Sequence, residues 1–141
     1  MAYVAFVLSE QSRRDLLALF PITYDRRVCH HITIQYGDRP GNSLDDVFQG
    51  CMNHLRNGVR VTGIYNDGKG VETLSVEFQD YDDQCNRVMW HDERWDGRKY
   101  HITHSLGSGR QPVESLEVVG VEEFLVRKID ISITGEFQFL E

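Results

Sequence analysis

Between residues 73 and 78 the apolar side chains Leu74, Val76 and Phe78 alternate with Thr73, Ser75 and Glu77, and this period of two is what most constrains the chain. Successive side chains of a strand point to opposite faces, so strict alternation asks for a sheet with one face on a core. Antiparallel sheets meet that demand, whereas parallel strands buried on both faces read as continuous apolar runs. The same period returns late, where Ile129, Ile131 and Ile133 alternate with Asp130, Ser132 and Thr134. Val59–Tyr65 and Val71–Phe78 flank Asn66-Asp67-Gly68-Lys69-Gly70, which predicts a hairpin.

Tyr3–Leu8 is β-branched and aromatic and predicts a first strand. Ser9 then offers an N-cap to a helix carrying Leu16, Leu17, Leu19 and Phe20, which Pro21 ends because the residue before proline avoids helical geometry. His30–Tyr36 predicts a strand closed by a Gly37–Gly41 loop. Ser43 caps a second helix with Leu44, Val47, Phe48, Cys51 and Leu55 at helical spacing and Gly58 beyond it. Asp80–Arg98, with Tyr81, Trp90 and Trp95, shows no clear period and predicts a long loop of the lid or binding kind. Lys99–Leu106 predicts a strand and Gly107–Pro112 a loop, while Ser115–Val126 carries no decisive pattern. The expectation is one domain over residues 1–141, of the α+β class, with mainly antiparallel strands and two helices in the first half.

Charge narrows the partners. Fifteen Lys and Arg against twenty-two Asp and Glu give a formal charge of −7, which argues against charge-driven binding to long double-stranded nucleic acid. A single nucleotide remains open, since screening limits distant carboxylates to a reach of about 8 to 10 Å. No apolar run approaches the roughly 18 to 20 residues of a membrane span, and Met1–Leu8 lacks the basic region and cleavage site of a leader. Cys29, Cys51 and Cys85 are odd in number and form no CxxC pair, as expected of reduced thiols in a cytosol. A cytoplasmic protein is expected.

Two strands repeat one tripeptide. His31-Ile32-Thr33 and His101-Ile102-Thr103 lie seventy residues apart. By alternation His31 shares a face with Thr33, and His101 with Thr103 and Ser105, while Ile32, Ile34, Ile102 and Leu106 turn to the other side. Laid side by side, the two strands would put two imidazoles and two hydroxyls around one cavity. An imidazole titrating near neutrality serves as base in one form and acid in the other. Hydroxyls can donate to non-bridging phosphoryl oxygens, where charge develops. The pattern points to phosphodiester cleavage, with either histidine as base.

On these residues the chain resembles the 2H phosphoesterase superfamily, whose members carry two His-x-Thr/Ser-x motifs with apolar x positions. The second copy departs from the pattern at His104. Val61-Thr62-Gly63-Ile64 and Gly109-Arg110-Gln111-Pro112-Val113 also look like segments of the cyclic-phosphodiesterase domains of RNA-repair enzymes. The resemblance implies a bilobal fold of antiparallel sheets with pseudo-two-fold symmetry around a central groove. It implies catalysis by His31 and His101 and substrate binding by Thr33, Thr103 and Ser105, with no metal and no cofactor. The implied substrates are 2′,3′-cyclic phosphates of nucleotides or RNA ends. Some viral members look similar and destroy cyclic di- or trinucleotide immune messengers, which makes such a messenger, opened by its own 2′-hydroxyl, the alternative substrate. A further alternative is a module that binds a cyclic nucleotide without cutting it, although pure binding does not need two groups that titrate near neutrality.

Other residues read more plainly. His30 and His104 are expected on the opposite face from His31 and His101, so neither His30-His31 nor His101 with His104 should chelate one ion. His54 and His91 read as surface residues. Tyr81, Trp90 and Trp95 could stack on a base but read first as packing, and Lys99 and Arg110 stand outside the expected catalytic set.

Overall fold

The computed structural model describes residues 2–37, 41, 43–53, 58–81 and 87–141. The architecture is α+β: an open antiparallel sheet of nine strands among the described residues, with few helices. In chain order the elements are β1 (Tyr3–Leu8), α1 (Glu10–Leu19), β2 (Arg26–Arg27), β3 (His31–Tyr36), α2 (Leu44–Asn53), β4 (Val59–Asn66), β5 (Val71–Tyr81), β6 (Arg87–His91), β7 (His101–Leu106), β8 (Leu125–Ser132) and β9 (Gly135–Leu140). Across the sheet the order is β8-β4-β5-β7-β3-β1-β9, with β2 added to β7 and β6 to β5. Among the described residues no helix is long and apolar enough to cross a membrane.

Local chemistry sets the ends of these elements. Ser9 Oγ accepts from the Ser12 amide at 3.1 Å and Ser43 Oγ from the Asp46 amide at 3.2 Å, so each helix start satisfies one of its orphan donors as its sequence predicts. The hairpin forms between β4 and β5, and Asp67 Oδ1 takes the amides of Lys69 and Val71 at 2.8 and 3.0 Å to close the turn. Gly135, opening β9, is required by close approach: a Cβ there would run into the Val7 carbonyl oxygen and the Phe6 ring.

The alternation of β5 has its expected result, since Leu74, Val76 and Phe78 are buried in one core with Leu16, Ile32, Ile102, Ile133 and Phe137. α2 lies against β9, β1 and β3, with Phe48 stacked on Phe139 at 4.8 Å. Val71, Leu106 and Val118 form a second, smaller cluster.

Two sequence expectations change, the Asp80–Arg98 loop and the surface placing of His91. Part of Asp80–Arg98 is not a loop: β6 pairs with β5, placing Trp90 opposite Gln79, and a Glu93–Lys99 bridge closes a tight turn in which the Gly97 amide donates to the Arg94 carbonyl. Trp90 is half-buried under the Arg60 guanidinium, 4.1 Å from its ring centre, in line with its first reading as a packing residue. His91 is half-buried against Tyr100 and Phe78 rather than on the surface. The Ser115–Val126 region resolves into two short 3-10 helices, at Pro112–Glu117 and Glu122–Phe124, and the beginning of β8. His54, Leu55, Cys85 and the side chain of Tyr81 lie outside the described residues.

The halves of the sheet meet where β3 and β7 pair through Ile32 opposite Ile102. Both are fully buried. The two repeated tripeptides therefore join the sheet at their central residues.

Candidate active site

Antiparallel pairing of Ile32 with Ile102 places His31 and His101 each one residue from the join between β3 and β7. Both imidazoles and Thr103 line one cavity of about 170 Å³, together with Val28, Tyr36, Arg94, Arg98, Pro112, Val113 and Leu116.

The ring of His101 has a defined polarity. Its Nδ1 lies 3.2 Å from the Lys99 carbonyl oxygen, which can only accept, so Nδ1 carries the proton and Nε2 is bare when the ring is neutral. Burial holds His101 below the ordinary imidazole value; the Lys99 carbonyl opposes that and the Arg94 charge adds to it. His31 is pushed down to about 4, first by burial and then by His30 and His101. Both rings are therefore neutral at pH 7 in the free protein.

His30 is where alternation fails. Its Nδ1 lies 3.0 Å from Nδ1 of His31, with the rings edge to face at 5.2 Å, so it is not on the opposite side of the strand. The strand register explains this. Arg27 pairs with Ser105 and Ile32 with Ile102, so five steps on one strand oppose three on the other, and two extra residues bulge out between them. Cys29 carries the kink with φ of 39°, a region most residues avoid. His104 does turn away: it is fully buried, and Nε2 donates 2.6 Å to the carbonyl of Phe20 at the C-terminal end of α1.

The expected substrate-binding hydroxyls separate. Thr103 Oγ1 lies 2.9 Å from the buried Ser115 hydroxyl and donates across a long 3.4 Å contact to the Pro112 carbonyl. Thr33 is half-buried and is not among the residues lining the cavity. Ser105 is fully buried and roofed over: its hydroxyl donates 2.7 Å to Glu72 and accepts from the Tyr24 amide, while Glu72 also takes the amide and hydroxyl of Thr23. Its nearness to Thr103 in sequence gives no sign of the Thr23–Tyr24 segment that covers it.

The cations at the cavity are not those that stand out in the sequence. Lys99 is held by Asp92 and Glu93, and Arg110 by Asp67 and Glu114. Arg94 reaches the cavity instead, its side chain 3% exposed, with Nε and Nη2 on the two oxygens of Asp96 at 3.1 and 2.8 Å. Burial raises the Asp96 carboxyl, but hydrogen bonds and charge from Arg94 and Arg98 outweigh it and keep Asp96 below its usual range. The sequence hint was Asp96-Gly97, a tight-turn pair shortly before His101 that marks a fixed hairpin rather than a loose lid.

Cys29 and Cys51 are free, and burial pushes both thiols up to about 11, which leaves them poor nucleophiles. Among the described residues no group of three or more His, Cys, Asp or Glu is placed to hold a metal ion. Comparison with protein families, curated proteins and solved structures found no match to this chain.

Proposed function

We propose that the chain is a phosphodiesterase of the 2H kind, hydrolysing 2′,3′-cyclic phosphates of nucleotides or RNA ends with His31 and His101 as its acid and base. The observation that carries this reading is that both repeated histidines, Thr103 and the buried Arg94 line the same cavity. A volume of about 170 Å³ suits one phosphoryl group with its ribose. The antiparallel join at Ile32 and Ile102 relates the motifs by a local two-fold, which is the basis for proposing pseudo-symmetry of the two halves.

One imidazole takes a proton from water through a bare nitrogen as the water oxygen bonds to phosphorus. The other gives its proton to the departing 2′- or 3′-oxygen as that P–O bond breaks. The products are a phosphomonoester and a free hydroxyl. Two of the five N–H donors of Arg94 go to Asp96, so the guanidinium is held rigid while its remaining donors can meet a non-bridging oxygen. Ser115 as donor to Thr103 would free the Thr103 proton to leave Pro112 for a phosphoryl oxygen. The apolar wall of Tyr36, Val113 and Leu116 gives a base a dry surface.

The test is incubation of the purified chain, in EDTA, with the four 2′,3′-cyclic mononucleotides and a set of cyclic dinucleotides, resolved by chromatography. Conversion of a cyclic mononucleotide to a single monophosphate isomer is expected. Turnover of cyclic dinucleotides alone would replace the substrate, and binding of either class without turnover would replace the enzyme by a binding module.

The pH dependence follows from the depressed imidazoles. Catalysis needs one ring neutral and one protonated, and near pH 7 the protonated form is scarce. Acidification restores it, so kcat/KM should rise as pH falls from 8 toward 5. It should fall again only when both rings carry a proton, which His31, pushed down to about 4, holds off to about pH 4 or below. A maximum above pH 7 in a full pH profile would contradict this.

A further inference from the structure

We infer that His30 is a positioning residue for His31, accepting a hydrogen bond at its own Nδ1 from Nδ1–H of His31 and so keeping His31 in its productive tautomer. This rests on the proposed role of His31. The two nitrogens lie 3.0 Å apart, close enough for one shared proton. The assignment of direction comes from the chemistry. A base needs Nε2 bare, which puts the proton of a neutral ring on Nδ1. An acid carries protons on both nitrogens. In either role His31 donates from Nδ1, and its partner must accept. Were His30 the donor, His31 would carry its only proton on Nε2, where it could neither take a proton from water nor deliver one as an imidazolium.

His101 has the matching arrangement by another route, since the Lys99 carbonyl accepts from its Nδ1. The bulge before His31 leaves that ring paired with a side chain instead, and the surrounding structure holds the bulge in place. Arg13 on α1 donates from Nε to the Cys29 carbonyl at 2.8 Å and from Nη2 to the Val28 carbonyl at 3.2 Å. The Cys29 amide donates 2.8 Å to the Thr103 carbonyl, and the Leu8 amide donates 3.0 Å to the His30 carbonyl. A positive φ at a side-chain-bearing residue persists only when its surroundings over-determine it, and here four hydrogen bonds do so. What the strain achieves is the turning of His30, itself exposed, onto the ring of the next residue. His30 is not among the residues lining the cavity, so its action on substrate passes through His31.

The test uses His30→Ala and His30→Asn in the full chain, read two ways. Nitrogen-15 NMR of histidine-labelled protein without substrate should show His31 protonated on Nδ1 in the parent and in His30→Asn, whose side-chain carbonyl can accept, and shifted toward the Nε2–H tautomer in His30→Ala. With the cyclic phosphate that the parent turns over, His30→Ala should lower kcat by roughly 10- to 100-fold with KM little changed, the usual scale for a partner that fixes an imidazole, and His30→Asn should recover most of it. An Nε2-protonated His31 in the parent overturns the inference, as does an unchanged tautomer or an unchanged kcat in His30→Ala. If the parent turns over no phosphodiester, the proposed function fails, and the NMR result still decides the hydrogen bond.

Discussion

Replacing either cavity histidine should nearly abolish turnover while leaving the fold in place. His31→Ala and His101→Ala are each expected to lower kcat by roughly 10² to 10⁴-fold, the usual contribution of a positioned acid or base. The double variant should lose far less than the product, because a proton donor without its acceptor partner has little left to contribute. His104→Ala is the control that separates chemistry from packing. His104 lies one strand position beyond Thr103 but is fully buried, away from the cavity, with its proton on the Phe20 carbonyl. Its loss should cost about 1 to 3 kcal/mol by stranding that buried acceptor, and leave the kcat of the folded fraction near the parent value. Steady-state kinetics with thermal melts of the same preparations check both halves. Near-normal turnover in His31→Ala or His101→Ala would remove the two-histidine mechanism.

The largest stability effect is expected at the join between the halves of the sheet. Ile102 is fully buried, faces Ile32 across β3 and β7, and neighbours Leu74 of β5 in register. Ile102→Ala removes apolar volume from a fully buried position between Ile32 and Leu74, on strands that are each tied to other strands. A cost of about 2 to 5 kcal/mol is expected. In a chain of this length that should lower Tm by roughly 5 to 20 °C. Ile102→Val keeps most of the volume and should cost about 0.5 to 1.5 kcal/mol. Val126, 64% exposed on β8, provides the contrast, and Val126→Ala should stay within about 0.5 kcal/mol of the parent. Urea and thermal unfolding monitored by circular dichroism measure all three. A Tm for Ile102→Ala within a degree of the parent would mean that the join carries little of the stability.

Much of the local structure was legible residue by residue. The alternation of Leu74, Val76 and Phe78, the caps at Ser9 and Ser43, the Asn66–Gly70 turn and the strands around the two tripeptides all depend on neighbours within a few positions, and each forms as expected. Alternation also assigned the faces of β7, sending His101 and Thr103 to the cavity and Ile102 and His104 away from it. Three strands escaped notice for the same local reason, β6 because Asp80–Arg98 shows no period of its own. β2 is only two residues long, and Gly135–Leu140 of β9 mixes Glu136 and Gln138 with aromatic residues that pack on β1 and α2 from far away in sequence.

By itself, then, the amino-acid order determined which side chains share a face within each strand, because pleat and capping are properties of a few consecutive residues. The tertiary structure decided which faces meet. It brought His31 beside His101, covered Ser105 with Thr23 and Tyr24, carried Arg94 into the cavity on a turn bound to Asp96, and bent His30 onto His31. Apart from the local Arg94–Asp96 turn, these rest on contacts between segments distant in sequence. A two-residue bulge opposite β7 is set by hydrogen bonds to Arg13, Thr103 and Leu8 that come from three other elements, so no pattern local to residues 28–31 could announce it.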